Sequence, residues 1–281
     1  MTKRAVIIWS SVLLGLIALF TILFGVVFRV RKIEFSYGDD FCYKTQIDDI
    51  ASCSGLKKGG MIFSLDRDKV EKNIEKNFPF ARVENVSIKS LTKVEIKLSS
   101  RSPLYYQAEN EKYYILDEDC KVLNIVTDAT QISQYILLNQ VFSFGDDVEV
   151  GDFVKTSRSS VCTSLYNSLY SNAMLNIGGE DKYLEREDMC NIIKIIRFGQ
   201  VTELNGKVDN IYLTTSYGCT ISITEPSVNL DLKINMAFSA LRKIIEQDAE
   251  NGTNLQASGT IVVRYGYDTN ENITLKCEYH T

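Results

Sequence analysis

The chain has one histidine, His280, close to its last residue. A Ser/His/Asp triad or an H-E-x-x-H zinc site needs an imidazole held between fixed partners, and a terminal tail does not hold one. No G-x-S-x-G elbow and no phosphate-binding G-x-x-x-x-G-K-[ST] loop occurs. Carboxylates cluster at Asp117-Glu118-Asp119 and at Asp146-Asp147-Glu149. Both clusters lie in turn-like stretches and read as solvated faces. The residues therefore point away from an enzyme, and no cofactor or metal is expected.

The seven cysteines are Cys42, Cys53, Cys120, Cys162, Cys190, Cys219 and Cys277. None forms a C-x-x-C pair and the number is odd, which argues against a zinc site and against a dense disulfide framework. Cys42 and Cys53 are nearest in sequence and would bridge one short helix. The rest read as small buried hydrophobes.

The elements that would position a site begin with Ala5–Phe28, an uncharged and mainly apolar run. As one helix it would reach roughly 36 Å, enough for a ~30 Å hydrocarbon core. No small-x-small cleavage site follows it, so the reading is a retained single-pass signal anchor, with residues 1–4 cytoplasmic and the body outside the cytoplasm. Of 31 Lys and Arg in the chain, two precede the run's end, leaving 29 against 36 Asp and Glu in the rest, a balance of −7. An acidic body excludes nucleic acid as the main partner.

After the anchor the pattern alternates through Val30, Ile33 and Phe35, then changes to a short helix over Tyr43–Ser52. A second helix carries Val70, Ile74 and Phe78 at steps of four, and Pro79 halts it. Two alternating strands follow, Ala81–Ile88 and Val94–Leu98. The order is strand, helix, helix, strand, strand. With V-R-K-I-E-F at its start, the Ile50–Gly59 run, M-I-F-S-L-D at 61–66 and Phe78-Pro79, it resembles the POTRA domain. The whole chain resembles the FtsQ/DivIB family of bacterial cell-division proteins. Where that family usually has Glu-Arg-x-Pro, this chain has Ser100-Arg101-Ser102-Pro103.

Pro103 marks the expected boundary between a POTRA domain over 29–100 and a β-rich domain over 101–281. Strands are expected at Leu104–Gln107, Lys112–Leu116, Val122–Thr127 and Tyr135–Leu138, and a helix at Thr156–Tyr170. Residues 171–190 read as a loop or insertion. The apolar cluster Met189–Phe198 suits either the close of a helix or the opening of a strand. A hairpin is expected around Tyr217-Gly218. Leu232–Gln247 is the clearest amphipathic helix, with Asn251-Gly252 as its stop, and strands Gly259–Tyr265 and Ile273–Glu278 end the chain. The fold class is thus α+β: one transmembrane helix, a βααββ POTRA domain and a mixed β-domain with a long helix before its terminal strands.

The family's β-domain ends in a long helix and an Asp-x-Arg-Tyr strand; here Arg264 and Tyr265 match, and Val262 replaces the Asp. The resemblance implies that Arg264 and Tyr265 contact a coiled-coil division partner of the FtsB/DivIC type, which pairs with FtsL, and that other septal membrane proteins are met as well. It implies a bitopic, non-enzymatic scaffold at the division septum that helps control septal wall synthesis. Strand addition to an open sheet edge supplies the physical means. The alternatives are a membrane-anchored sensor or ligand-binding protein of the envelope, for which four residues before the anchor leave no output domain, and a type II membrane protein glycosylated at the Asn85, Asn251 and Asn272 sequons.

Overall fold

The computed structural model describes residues 3–145, 147–203, 206–251, 259–267 and 273–280. Asp146, Gly252 and Asn272, each part of an expectation above, lie outside the described residues. The chain divides into two compact units, Met1–Ser102 and Pro103–Thr281.

The expected membrane anchor is overturned. The run Ala5–Phe28 is not one α-helix: helix α1 covers Lys3–Ile22 and begins with two charged residues, and Leu23–Val27 is wound as a π-helix. The uncharged α-helical part is then about 27 Å long, short of a ~30 Å hydrocarbon core. Among the described residues no helix is long and apolar enough to cross a membrane. Beyond the π-helical stretch the chain packs directly onto the rest of the first unit. Phe28 packs on Phe63 with ring centroids 4.9 Å apart, and Arg29 bridges to Met61.

The rest of that unit runs β1 (Lys32–Tyr37), α2 (Ile47–Cys53), α3 (Arg67–Asn77), β2 (Ala81–Ser90) and β3 (Lys93–Ser100). The sheet order is β1-β3-β2, with β1 parallel and β2 antiparallel to the central strand. Asp66 caps α3 by accepting a hydrogen bond from the Lys69 amide at 3.1 Å, a contact worth about 1 kcal/mol. The helices cover one face through Ile50, Val70 and Ile74, which meet Val86, Val94 and Ile96 in a closed core.

The second unit is built on a nine-stranded sheet. Its strands are β4 (Tyr105–Glu109), β5 (Lys112–Leu116), β6 (Val122–Val126), β7 (Ile136–Asn139), β10 (Ile193–Glu203), β11 (Gly206–Thr215), β12 (Thr220–Thr224), β13 (Thr260–Tyr267) and β14 (Ile273–His280). Their order is β14-β13-β12-β11-β10-β7-β4-β5-β6. Residues 171–190 are not a plain loop: they hold the hairpin β8 (Met174–Ile177) and β9 (Glu180–Tyr183) and the start of α5 (Arg186–Ile192). Buried Leu175 and Leu184 tie this segment to the core, which its polar composition hides. The Met189–Phe198 cluster does both things open to it: it closes α5 and opens β10.

Register shows why one face is core. A transverse row runs Leu138, Ile196, Leu213, Ile221, Ile261, Tyr279 across β7, β10, β11, β12, β13 and β14. The next row, one residue on, reads Asn139, Arg197, Tyr212, Ser222, Val262, Glu278 and takes the other face. The apolar face is covered by α4 (Ser157–Asn172) and α6 (Leu230–Asn251) through Cys162, Leu165, Ile234, Phe238 and Leu241. α4 starts in a capping box, Thr156 with Ser159.

Candidate partner-binding edge

β14 is the last strand of the sheet, and among the described residues it pairs only with β13. Its backbone therefore offers one row of N–H and C=O groups to another chain. Behind it lies a firm support. Leu275 and Cys277 pack against the core, and the Cys277 thiol reaches the Met236 carbonyl of α6 at 3.8 Å. Burial pushes the Cys277 thiol above its ordinary value. Along the other face Lys276, Glu278 and His280 alternate with these residues, so the edge is apolar on the helix side and charged on the other.

Arg264 and Tyr265 lie next to this edge on β13 and point to opposite faces. Arg264 donates from Nη2 to Glu278 Oε2 at 3.2 Å and stands 3.8 Å from Glu203 Oε2, so it sits between two carboxylates of its own chain. Its side chain is 41 % exposed, which leaves the guanidinium reachable from solvent. Tyr265 faces α6. Its hydroxyl accepts a hydrogen bond from Asn229 Nδ2 at 2.6 Å, and the Lys233 ammonium lies 4.9 Å from the ring centre. Val262 is half-buried beside Ser222 and Glu278 on the charged face.

Lys233 was not legible as part of this site. Its side chain is fully buried, and its ammonium donates to the carbonyls of Thr224 and Glu225 at 2.6 and 2.9 Å. Desolvation lowers its pKa. A lysine at the fourth residue of α6, one turn in, reads from sequence as an ordinary surface charge; only the return of the β12–α6 loop makes it a clamp. Asn229, with φ +50°, starts that helix and orients the Tyr265 hydroxyl.

The carboxylates at 117–119 are not a solvated face. Asp117 is fully buried, and its Oδ1 accepts from the amides of Asp119 and Lys121 at 2.9 and 2.8 Å. Glu118 binds Arg186 at 2.6 Å. The Asp117 carboxylate serves as the core of a tight turn, an arrangement Asp favours for this reason. Cys42 and Cys53 do not pair: the first thiol meets the Phe80 carbonyl and the second the Ile50 carbonyl.

No protein-family model matches this chain, and no curated protein does.

Proposed function

We propose that this protein is a non-enzymatic scaffold that takes up an extended segment of a partner chain along β14. In keeping with the resemblance to FtsQ/DivIB, the partner is a coiled-coil division protein of the FtsB/DivIC type together with FtsL, and the complex contributes to the control of septal wall synthesis. One observation carries the reading: among the described residues the nine-stranded sheet ends on a strand paired on one edge only, whose helix side is packed and whose other side is charged. Main-chain hydrogen bonds supply affinity to such an edge, and alternate side chains supply specificity. The partner strand would carry apolar residues in line with Leu275, Cys277 and Tyr279. On the other side it would carry a carboxylate near Lys276 or Arg264.

The test uses single prolines in the full chain. N–H groups along an edge strand alternate between β13 and the open side. Of Lys276→Pro and Cys277→Pro, one removes a bond to β13 and lowers stability. The other keeps the fold and is expected to lose partner binding, measured by calorimetry against the coiled-coil pair. Full binding by the folded proline variant would remove the edge as the docking site. In dividing cells a fluorescent fusion of the full chain is expected at midcell. An even distribution would sink the division reading while leaving strand addition in place.

A further inference from the structure

The nine-stranded sheet has two ends, and the one opposite β14 is β6. Val122–Val126 has no charge, no proline and three β-branched residues, Val122, Ile125 and Val126. A strand of that composition at a sheet edge is a template for another chain. Among the described residues the only strand that pairs with β6 is β5. Yet Val122 and Ile125, whose amides point outward, are both engaged by this chain itself.

The start of the edge is covered by residues 151–154. The Val122 amide donates to the Asp152 carbonyl at 2.8 Å, and the Val122 carbonyl accepts from the Gly151 amide at 2.8 Å. The Val154 amide reaches the Cys120 carbonyl at 3.0 Å, and Lys121 bridges antiparallel to Phe153. A bulge comes next: Val122 faces Leu116 and Asn124 faces Ile115, with buried Leu123 as the extra residue. Ile125 follows. The Leu116 carbonyl turns to the β4 side, where it accepts from the Leu104 amide at 2.9 Å. Backbone groups alternate along a strand, so Tyr114 turns that way as well, and its partner Ile125 points away from β5. There the Ile125 amide meets its own neighbour: it donates to Asn124 Oδ1 at 2.9 Å. Asn124 is exposed and Ile125 half-buried.

We propose that Asn124 is a specificity residue of this sheet: by holding the Ile125 amide it closes β6 to strand addition, so that a second copy of this chain does not seat its β14 there. This rests on the reading of β14 as a docking edge, because a sheet that receives strands at both ends joins copies head to tail. β14 of one copy on β6 of the next is a heterologous contact, which does not close on itself and grows into chains. An amide that already has an acceptor gives a docking strand no net hydrogen bond, since the Asn124 contact must first be broken. With β6 closed, growth stops and β14 is left for the partner.

The test compares the full wild-type chain with Asn124→Ala and with Asn124→Ala combined with Ile125→Pro. The proline removes the outward N–H and no bond to β5, which an edge strand tolerates; far-ultraviolet dichroism checks that the fold is kept. In Asn124→Ala the Ile125 amide is expected to exchange roughly tenfold faster than in the wild type. Sedimentation velocity of that variant is expected to show species larger than those of the wild type, growing with concentration. The added proline is expected to return the sizes to those of the wild type. Association through any other surface is common to all the chains. Unchanged Ile125 exchange would overturn the contact, and faster exchange with wild-type sizes would overturn the closure. Should the proline chain not fold, Asn124→Asp takes its place: it keeps an acceptor for the Ile125 amide, and larger species there would count against the closure. Calorimetry of the wild type against the coiled-coil pair keeps the two readings apart. A failed closure leaves that binding in place, whereas absent binding removes β14 as the partner edge and leaves exchange and sizes to decide the closure.

Discussion

Arg101 and Glu75 form a buried ion pair in the first unit, with Nη2 3.0 Å from Oε2 and both side chains about 4 % exposed. Glu75 Oε1 also accepts from the Val83 amide at 2.9 Å, and Arg101 donates from its own amide to the Phe80 carbonyl at 2.7 Å. The pair thus locks the end of α3 and the start of β2 to the chain just after β3. The carboxylate that answers Arg101 comes from 26 residues upstream. Removing one member leaves a buried charge. Glu75→Ala or Arg101→Ala is expected to cost about 3–5 kcal/mol, and Glu75→Leu with Arg101→Met much less than the two single losses together. Urea unfolding of the wild type, the two single variants and the double variant measures each loss against the wild type.

Phe238 is fully buried on α6 between that helix and the sheet. Phe238→Ala should lower the stability of the second unit by about 3–5 kcal/mol through lost transfer energy and a residual cavity. Guanidinium unfolding followed by far-ultraviolet dichroism would register it as an earlier second transition.

Gly259 stands where β13 begins, and a Cβ there would lie within about 2.5 Å of the Tyr279 ring carbons. Its φ is not the issue; the ring occupies the space. Gly259→Ala should push Tyr279 off the backbone and loosen the end of β14. A cost of about 1–2 kcal/mol is expected, with faster amide exchange at residues 277–280. Gly259→Ala combined with Tyr279→Ala should be milder than Gly259→Ala alone, which a purely backbone effect would not give.

In the reduced chain, stability should decline in alkaline solution. The neighbouring Cys162 and burial hold the Cys120 thiol above its ordinary 9.0, and burial holds Tyr105 well above 10.0. In the folded state both keep protons that the unfolded chain has shed above those values. Their contribution is whole below about pH 9 and is lost as pH rises past it, at up to about 1.4 kcal/mol per pH unit for each group. Cys120→Ala should flatten the slope between pH 9 and 10. Unfolding midpoints measured from pH 7 to 10.5 would show whether it does.

Tyr265 is held from behind by Asn229, and under the proposed docking along β14 this support carries over to binding. Asn229→Ala removes the donor to its hydroxyl, and the expected loss in stability is about 1 kcal/mol. If Tyr265 also meets the partner, Asn229→Ala will weaken binding several-fold without touching β14 itself. Calorimetry on the folded variant separates the two effects.

Short-range pattern was enough to read the order of elements in residues 32–100, the long helix α6 and the two strands after it. Steps of two and of four report which side of a local element is apolar, and caps and prolines report its ends. The reading failed where the deciding contact is distant in sequence or the backbone winding changes. Ala5–Phe28 has the composition of a span, yet a π-turn after Ile22 divides it. Asp117 and Lys233 carry charges that any local rule places in water, and the packing of a turn and a returning loop buries both. The sequence alone determined that the last strands follow a helix made to cover them. Tertiary structure decided that β14 ends the sheet, that Arg264 is answered by Glu278 and Glu203, and that the Cys120 thiol meets the Ser159 carbonyl of α4. Each of those is a choice of neighbour across many residues, and side-chain periodicity holds no information about neighbours.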